Sequence, residues 1–178
     1  MFFKRNKTAD NEFARVIDWT PQWSTGAPMP HVFSNGRKVY LIYLVNTVDS
    51  NLDGTYVKVI RSTGDQQYTL ALVEFTGHTF RFGIANDEVF SGLSLWEKGL
   101  EIYNAHIIEN SKWIKELDDI NKVHPYYERH STTRGDRKHF MLLFHDEIFE
   151  VIASSYQVEV FNTSFKELTI EVAQRMTS

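Results

Sequence analysis

The run from Arg37 to Asn46 constrains this chain more than any other segment. In an extended chain Val39, Leu41, Tyr43 and Val45 fall on one side, and Tyr40, Ile42 and Leu44 on the other. Both faces are apolar, the pattern of a central strand covered on two sides. The fold therefore needs a sheet with apolar layers above and below it.

More strand signals surround this one. Asp53-Gly54 marks a turn, Tyr56–Arg61 is rich in β-formers, and Ser62–Gln67 reads as a loop. Tyr68–Phe75 is a further strand, Thr76-Gly77 a tight turn, and 78–84 another strand. In that last strand Phe80, Phe82 and Ile84 share a face opposite Thr79, Arg81 and Gly83. Short connections predict an antiparallel meander over residues 37–85. Residues 138–144 and 148–153 predict a hairpin across Asp146-Glu147, extended by 156–161.

Two helices follow from period and capping. Trp113, Ile114, Leu117, Ile120 and Val123 recur at helical spacing over 111–123, with Ser111 as N-cap and Pro125 enforcing a stop. Ser164-Phe165-Lys166-Glu167 is a capping box that opens a helix over 164–176, with Phe165, Leu168, Val172 and Met176 inward. Residues 1–36, with Pro21, Pro28 and Pro30, read as an irregular lead-in that packs Trp19 and Trp23 on the rest. Residues 86–110 and 124–137 read as loops. Strands and helices in separate stretches give the α+β class: a single domain over 1–178, with one twisted antiparallel sheet of about six strands packed by two helices.

A chain of 178 residues suits one domain. It has no cysteine, which removes disulfides, thiol catalysis and thiolate metal sites and fits a reducing compartment. A net charge of −4 argues against nucleic acid or an anionic membrane surface as partner. The uncharged apolar run from Val39 to Thr47 is far shorter than the roughly 20 residues of a membrane span. Met1–Lys7 carries the charge of a signal peptide but no apolar stretch follows. The expectation is a cytoplasmic protein.

Two acidic clusters stand at strand ends, where rigid elements hold side chains in place. Asn86-Asp87-Glu88 follows Phe80–Ala85, and His145-Asp146-Glu147 follows Phe140–Phe144. Asp87, Glu88, His145 and Asp146 are the catalytic candidates, as acids, bases or an oriented imidazole–carboxylate pair; turn-forming roles explain the same residue types. Asp49-Ser50-Asn51-Leu52-Asp53-Gly54 matches the first half of a calcium loop, but Ile60 stands where a bidentate Glu belongs, so a turn is the better account. The seven histidines form no H-x-H or H-E-x-x-H pair, and no metal is assigned. Residues 124–139 are locally basic, with Arg129 and Arg134 beside Tyr126 and Tyr127. No G-x-S-x-G, Walker loop or G-x-G-x-x-G occurs, so serine-hydrolase, ATPase and dinucleotide readings have no sequence support, and no cofactor is implied.

The stretch from Asn86-Asp87-Glu88 through Gly99-Leu100, with Asn110-Ser111-Lys112-Trp113-Ile114 and Phe144-His145-Asp146, resembles a group of small uncharacterised bacterial proteins. The resemblance spans roughly 86–153 and implies a bacterial, cytosolic, single-domain protein, with no activity attached.

The function expected from these residues is non-catalytic recognition of a protein or small ligand, with Trp96, His106, Tyr126, Tyr127, Arg129 and Arg134 as binding candidates. The alternative is a metal-dependent or acid–base hydrolase built from the 86–88 loop and the 145–147 hairpin, with His106 nearby. The two diverge on whether those segments meet at one end of the sheet in a cleft.

Overall fold

The computed structural model describes residues 11–47, 60–77, 79–83, 85–127 and 136–177. Among these the chain forms β1 (Phe13–Val16), β2 (His31–Ser34), β3 (Val39–Leu44), β4 (Tyr68–Phe75) and β5 (Thr79–Gly83), then a 3-10 helix at Asp87–Gly92. There follow β6 (Ala105–Glu109), α1 (Lys112–Asn121), β7 (Lys138–Leu143), β8 (Ile148–Ala153), β9 (Tyr156–Thr163) and α2 (Phe165–Thr177).

The fold mixes helices with antiparallel strands, but the strands make two sheets rather than one. One is ordered β2-β3-β4-β9 and the other β1-β6-β7-β8-β5. The reason is the number of two-faced strands. β3, β4 and β7 alternate apolar residues on both sides, more apolar surface than two helices on one sheet could cover. Val39, Leu41, Tyr43, Val73 and Phe75 of the first sheet meet Phe140, Leu142, Phe149 and Val151 of the second in a central layer. Trp19 and Trp23 fill that layer too. Trp19 Nε1 donates to the Tyr43 hydroxyl (3.0 Å), which donates in turn to the Pro21 carbonyl (2.8 Å), so the buried phenol is satisfied.

Each sheet's outer face has its own cover. Tyr40, Ile42, Leu70 and Leu72 pack under Phe165, Leu168 and Val172 of α2. The capping box forms as expected: Glu167 N donates to Ser164 Oγ (3.2 Å), and Ser164 N to Glu167 Oε2 (3.1 Å). Hydrogen bonds from the Thr163 hydroxyl, then from Ser164 and Gln67, pull the Glu167 carboxyl down to about 2. On the other sheet Ile108, Met141, Leu143 and Ile148 lie under Phe90, Leu95 and Leu100, from the 3-10 helix and the turns after it.

Several connections differ from expectation. The stretch before residue 37 contributes β1 and β2, and the expected loop over 86–110 contains the 3-10 helix and β6. β7 and β8 do form the hairpin, but β9 leaves it to pair with β4. Thr76-Gly77 closes no meander turn. β4 pairs with β9 while β5 pairs with β8, so the chain crosses between sheets there. Ser154-Ser155 crosses beside it, with Thr76 N donating to the Ser155 carbonyl and Ser154 N to the Thr76 carbonyl, both at 3.0 Å. β5 is a sheet edge, which leaves Phe80 and Phe82 exposed rather than in the core. The expected strand at 56–61 and the Asp49–Gly54 turn fall almost wholly outside the described residues.

α1 begins at Ser111, whose Oγ accepts the Ile114 amide hydrogen (3.2 Å). Its expected inward stripe is only partly inward. Trp113 is buried, Ile114 and Leu117 are half-buried, and Ile120 and Val123 face outward. Period shows which residues share a helix face, not how much of that face a neighbour covers.

Candidate functional site

The two acidic clusters meet at one end of the β7–β8 hairpin. Asp87 N donates to the His145 carbonyl (3.0 Å), which ties the start of the 3-10 helix to the hairpin turn. The side chains then line up. Asp87 Oδ2 lies 3.7 Å from His145 Nε2, and His145 Nδ1 lies 3.0 Å from Asp146 Oδ1. The Tyr103 hydroxyl donates to Asp87 Oδ2 at 2.5 Å. Two non-glycine residues that flank the cluster, Ala85 (φ +95°) and Tyr103 itself (φ +57°), sit in left-handed backbone. Such conformations cost about 1–3 kcal/mol each and persist where surrounding contacts enforce them.

The charges in this cluster are coupled. The Asp146 hydrogen bond, reinforced by Asp87 and Glu147, holds the His145 imidazole above the ordinary histidine value. The bond to Asp87 raises the Tyr103 phenol, and burial raises the Glu147 carboxyl. Because the folded pKa of His145 is raised, its ion pairs stabilise the fold fully below the unfolded value near 6.5. That contribution fades as pH rises through the folded value. In an NMR titration, Asp146→Asn should bring the His145 midpoint down, and Asp87→Asn should bring it down less. Unmoved midpoints in both variants would show that the carboxylates do not hold the imidazolium.

Chemically, the cluster can pass a proton among an imidazole, a phenol and two carboxylates. Glu88 is exposed and points to no partner in this group, and Asp146 is exposed. Among the described residues no three His, Asp or Glu side chains converge as metal ligands. The two cavities that flank α1, about 450 and 570 Å³, are lined by other residues.

A second polar line crosses the outer face of the five-stranded sheet at the other end of β7. Ser111 Oγ is 2.9 Å from His139 Nδ1, and His139 Nε2 is 2.8 Å from Glu150 Oε2. His139 is buried beneath Trp113, whose ring meets it edge-on at 5.1 Å, and the Arg81 guanidinium lies 4.0 Å over the same indole. His139 and His145 are six positions apart on one extended run, about 20 Å. The two lines are therefore separate sites. Sequence reasoning passed over Tyr103, His139 and Glu150. The available signal was a lone polar residue inside an apolar strand: Glu150 between Phe149 and Val151, and His139 before Phe140.

The remaining candidates scatter. His106 is buried on β6, not turned toward the acidic clusters; its Nε2 accepts the Glu101 amide hydrogen (3.1 Å), and burial pushes its pKa down. Trp96 is exposed beyond the 3-10 helix, Tyr126 is exposed after α1, and Tyr127 is half-buried. Arg129 and Arg134 lie outside the described residues. No helix among the described residues is long and apolar enough to cross a membrane. No protein-family model matches the chain, no curated protein matches it, and no solved structure matches it.

Proposed function

We infer that the protein is a recognition module that holds a protein partner along the outer side of α1. One observation carries this reading. Ile120 in the last turn of α1, then Val123 and Tyr126 just beyond it, are 60 %, 87 % and 87 % exposed. Single exposed apolar residues are ordinary, but three within seven positions at the end of α1, preceded by half-buried Leu117, concentrate apolar surface on one short segment. Large apolar and aromatic side chains of this kind anchor interfaces. A chain without cysteine suits a reducing compartment, and with the resemblance over 86–153 this supports the cytoplasm of a bacterium as its place of action.

The test is affinity capture from source cells with the wild type against an Ile120→Glu, Val123→Glu double variant. Both positions are exposed, so the variant should melt within about 0.5 kcal/mol of wild type. It should lose proteins that the wild type retains. If the two retain the same set, the α1 surface is not the docking face.

A second reading, an acid–base enzyme, is favoured by the approach of Asp87 and His145 to 3.7 Å with Tyr103 beside them. It is ranked lower because proton transfer to a substrate needs a concave site that excludes water.

A further inference from the structure

β6 and β7 are paired only from Ala105↔Leu142 to Ile107↔Phe140. Beyond that, β6 runs on to Glu109 against β1, and β7 begins at Lys138 against β8, so the two strands part at this end of the sheet. α1 starts in the gap. The cavity of about 450 Å³ opens there, with Ser111, His139, Ile108, Ile114, Lys115 and Lys138 in its wall. Asn110, at φ +53°, turns the chain so that Ser111 reaches the opening.

The hydrogen bonds at this point have a direction. A carboxylate oxygen accepts, so the tautomer that fits both contacts has its hydrogen on His139 Nε2, facing Glu150. That leaves Nδ1 as the acceptor, and the Ser111 hydroxyl 2.9 Å away donates to it. Either ring nitrogen can act as base; the bond on the other one decides which. The Trp113 edge and the carboxylate hold the ring in place from two sides.

Helix capping explains one contact of Ser111 and no more. The Ile114 amide would be capped as well by Asp, Asn or Thr. A cap has no use for a buried imidazole on the hydroxyl's other side, nor for a carboxylate behind that imidazole. A hydroxyl, a base and an orienting carboxylate in one line, at the wall of a cavity, are the parts of a nucleophile activated for acyl transfer.

We propose that Ser111, His139 and Glu150 form an acyl-transfer site for short-chain carboxylic esters, with Ser111 the nucleophile, His139 the base and Glu150 a positioning residue. Ser111 Oγ attacks the ester carbonyl carbon while its proton passes to His139 Nδ1. The tetrahedral adduct collapses, its C–O bond to the alcohol breaks, and the alcohol leaves with that proton. Water then attacks the acyl-serine, gives a proton to Nδ1, and the carboxylic acid leaves as Ser111 recovers its hydrogen. The net reaction is ester plus water to acid plus alcohol. The first helical amide, Lys112 N, is engaged by Glu12 Oε1 at 2.7 Å, outside the cavity wall. Ile114 N is likewise taken by Ser111 Oγ, so negative charge on the adduct is met by Lys115 in the cavity wall. Ile108 and Ile114 suit an acyl chain of a few carbons. This activity goes beyond partner recognition, since the cavity lies at the start of α1 and the exposed patch at its end.

The test uses the full chain with phenylmethanesulfonyl fluoride, read by intact mass and peptide mapping, together with p-nitrophenyl acetate turnover. A single sulfonyl adduct on Ser111 and measurable turnover are expected. Ser111→Asn, which still caps the helix, should fold and lose both. His139→Asn should slow both by about 10²-fold or more. Glu150→Gln should lower kcat with KM little changed in protein whose melt and active fraction match the wild type, and Glu150→Asp should recover part of the loss, a pattern that a purely structural role would not give. A folded wild type with neither adduct nor turnover overturns the proposal. So does labelling at the wild-type rate in His139→Asn, or undiminished turnover in Ser111→Asn.

Discussion

Phe144→Ala is expected to cost about 3–5 kcal/mol, the range for deleting a fully buried aromatic side chain. For a chain of this length that corresponds to a fall of roughly 6–20 °C in melting temperature. The ring lies at the end of β7, 4.8 Å from Trp23 and 6.1 Å from Tyr43, where the two sheets face each other. Its removal leaves a cavity against rigid aromatic neighbours that cannot collapse to fill it. Phe82→Ala is the contrast. Its ring is 42 % exposed on the edge strand β5, so the loss should stay below about 1.5 kcal/mol. Thermal melts of the two variants decide the matter. If Phe82→Ala were the more damaging, β5 would not be an open edge and the two-sheet arrangement would be wrong.

That contrast also marks what the sequence reveals and what it hides. Phe82 and Phe144 stand in similar apolar runs, and alternation alone ranks them equally. Only the pairing of β5 with β8 on one side exposes the first. Legible features are those whose cause is local: the two-faced pattern of Val39–Leu44, the capping box at Ser164 and Glu167, and the turn between β7 and β8. Illegible ones depend on distant partners. β1 is a four-residue strand, Phe-Ala-Arg-Val, that exists because β6 lies beside it. In α1 the helical period predicts an inner stripe, yet its far end has nothing over it.

The candidate sites follow the same division. Asp87 and His145 were identifiable as acids and bases at strand ends, and the fold brings them together. Tyr103 joins them through a left-handed backbone that its residue type does not announce. Ser111, His139 and Glu150 come from three elements, 28 and 11 positions apart. Ser111 was legible only as a helix cap, because spacing carries no trace of a line assembled across strands.

Gly77→Ala is expected to destabilise the fold by about 3 kcal/mol, the upper end of the usual cost of overpacking. A Cβ at this position would stand 2.3 Å from the Ile152 carbonyl oxygen and 2.9 Å from Ala153 Cα. These are backbone atoms of β8 and cannot swing aside as a side chain would. To make room, the crossing strands must separate where Thr76 N donates to the Ser155 carbonyl and Ser154 N to the Thr76 carbonyl, the point at which the chain passes from one sheet to the other. Gly26→Ala is the matched control, because nothing lies within 4 Å of its Cβ and its φ is not in the left-handed region. That change should be neutral, or stabilising by about 0.4–1 kcal/mol through the unfolded chain. Hydrogen exchange gives the local readout. The amides of Thr76 and Ser154 should exchange faster in Gly77→Ala than the small-molecule denaturation curve alone accounts for, because strain is concentrated at the crossing. Equal melting temperatures for the two variants would mean that the sheets are not joined through a close contact at Gly77, and the topology built on that crossing would fall with it.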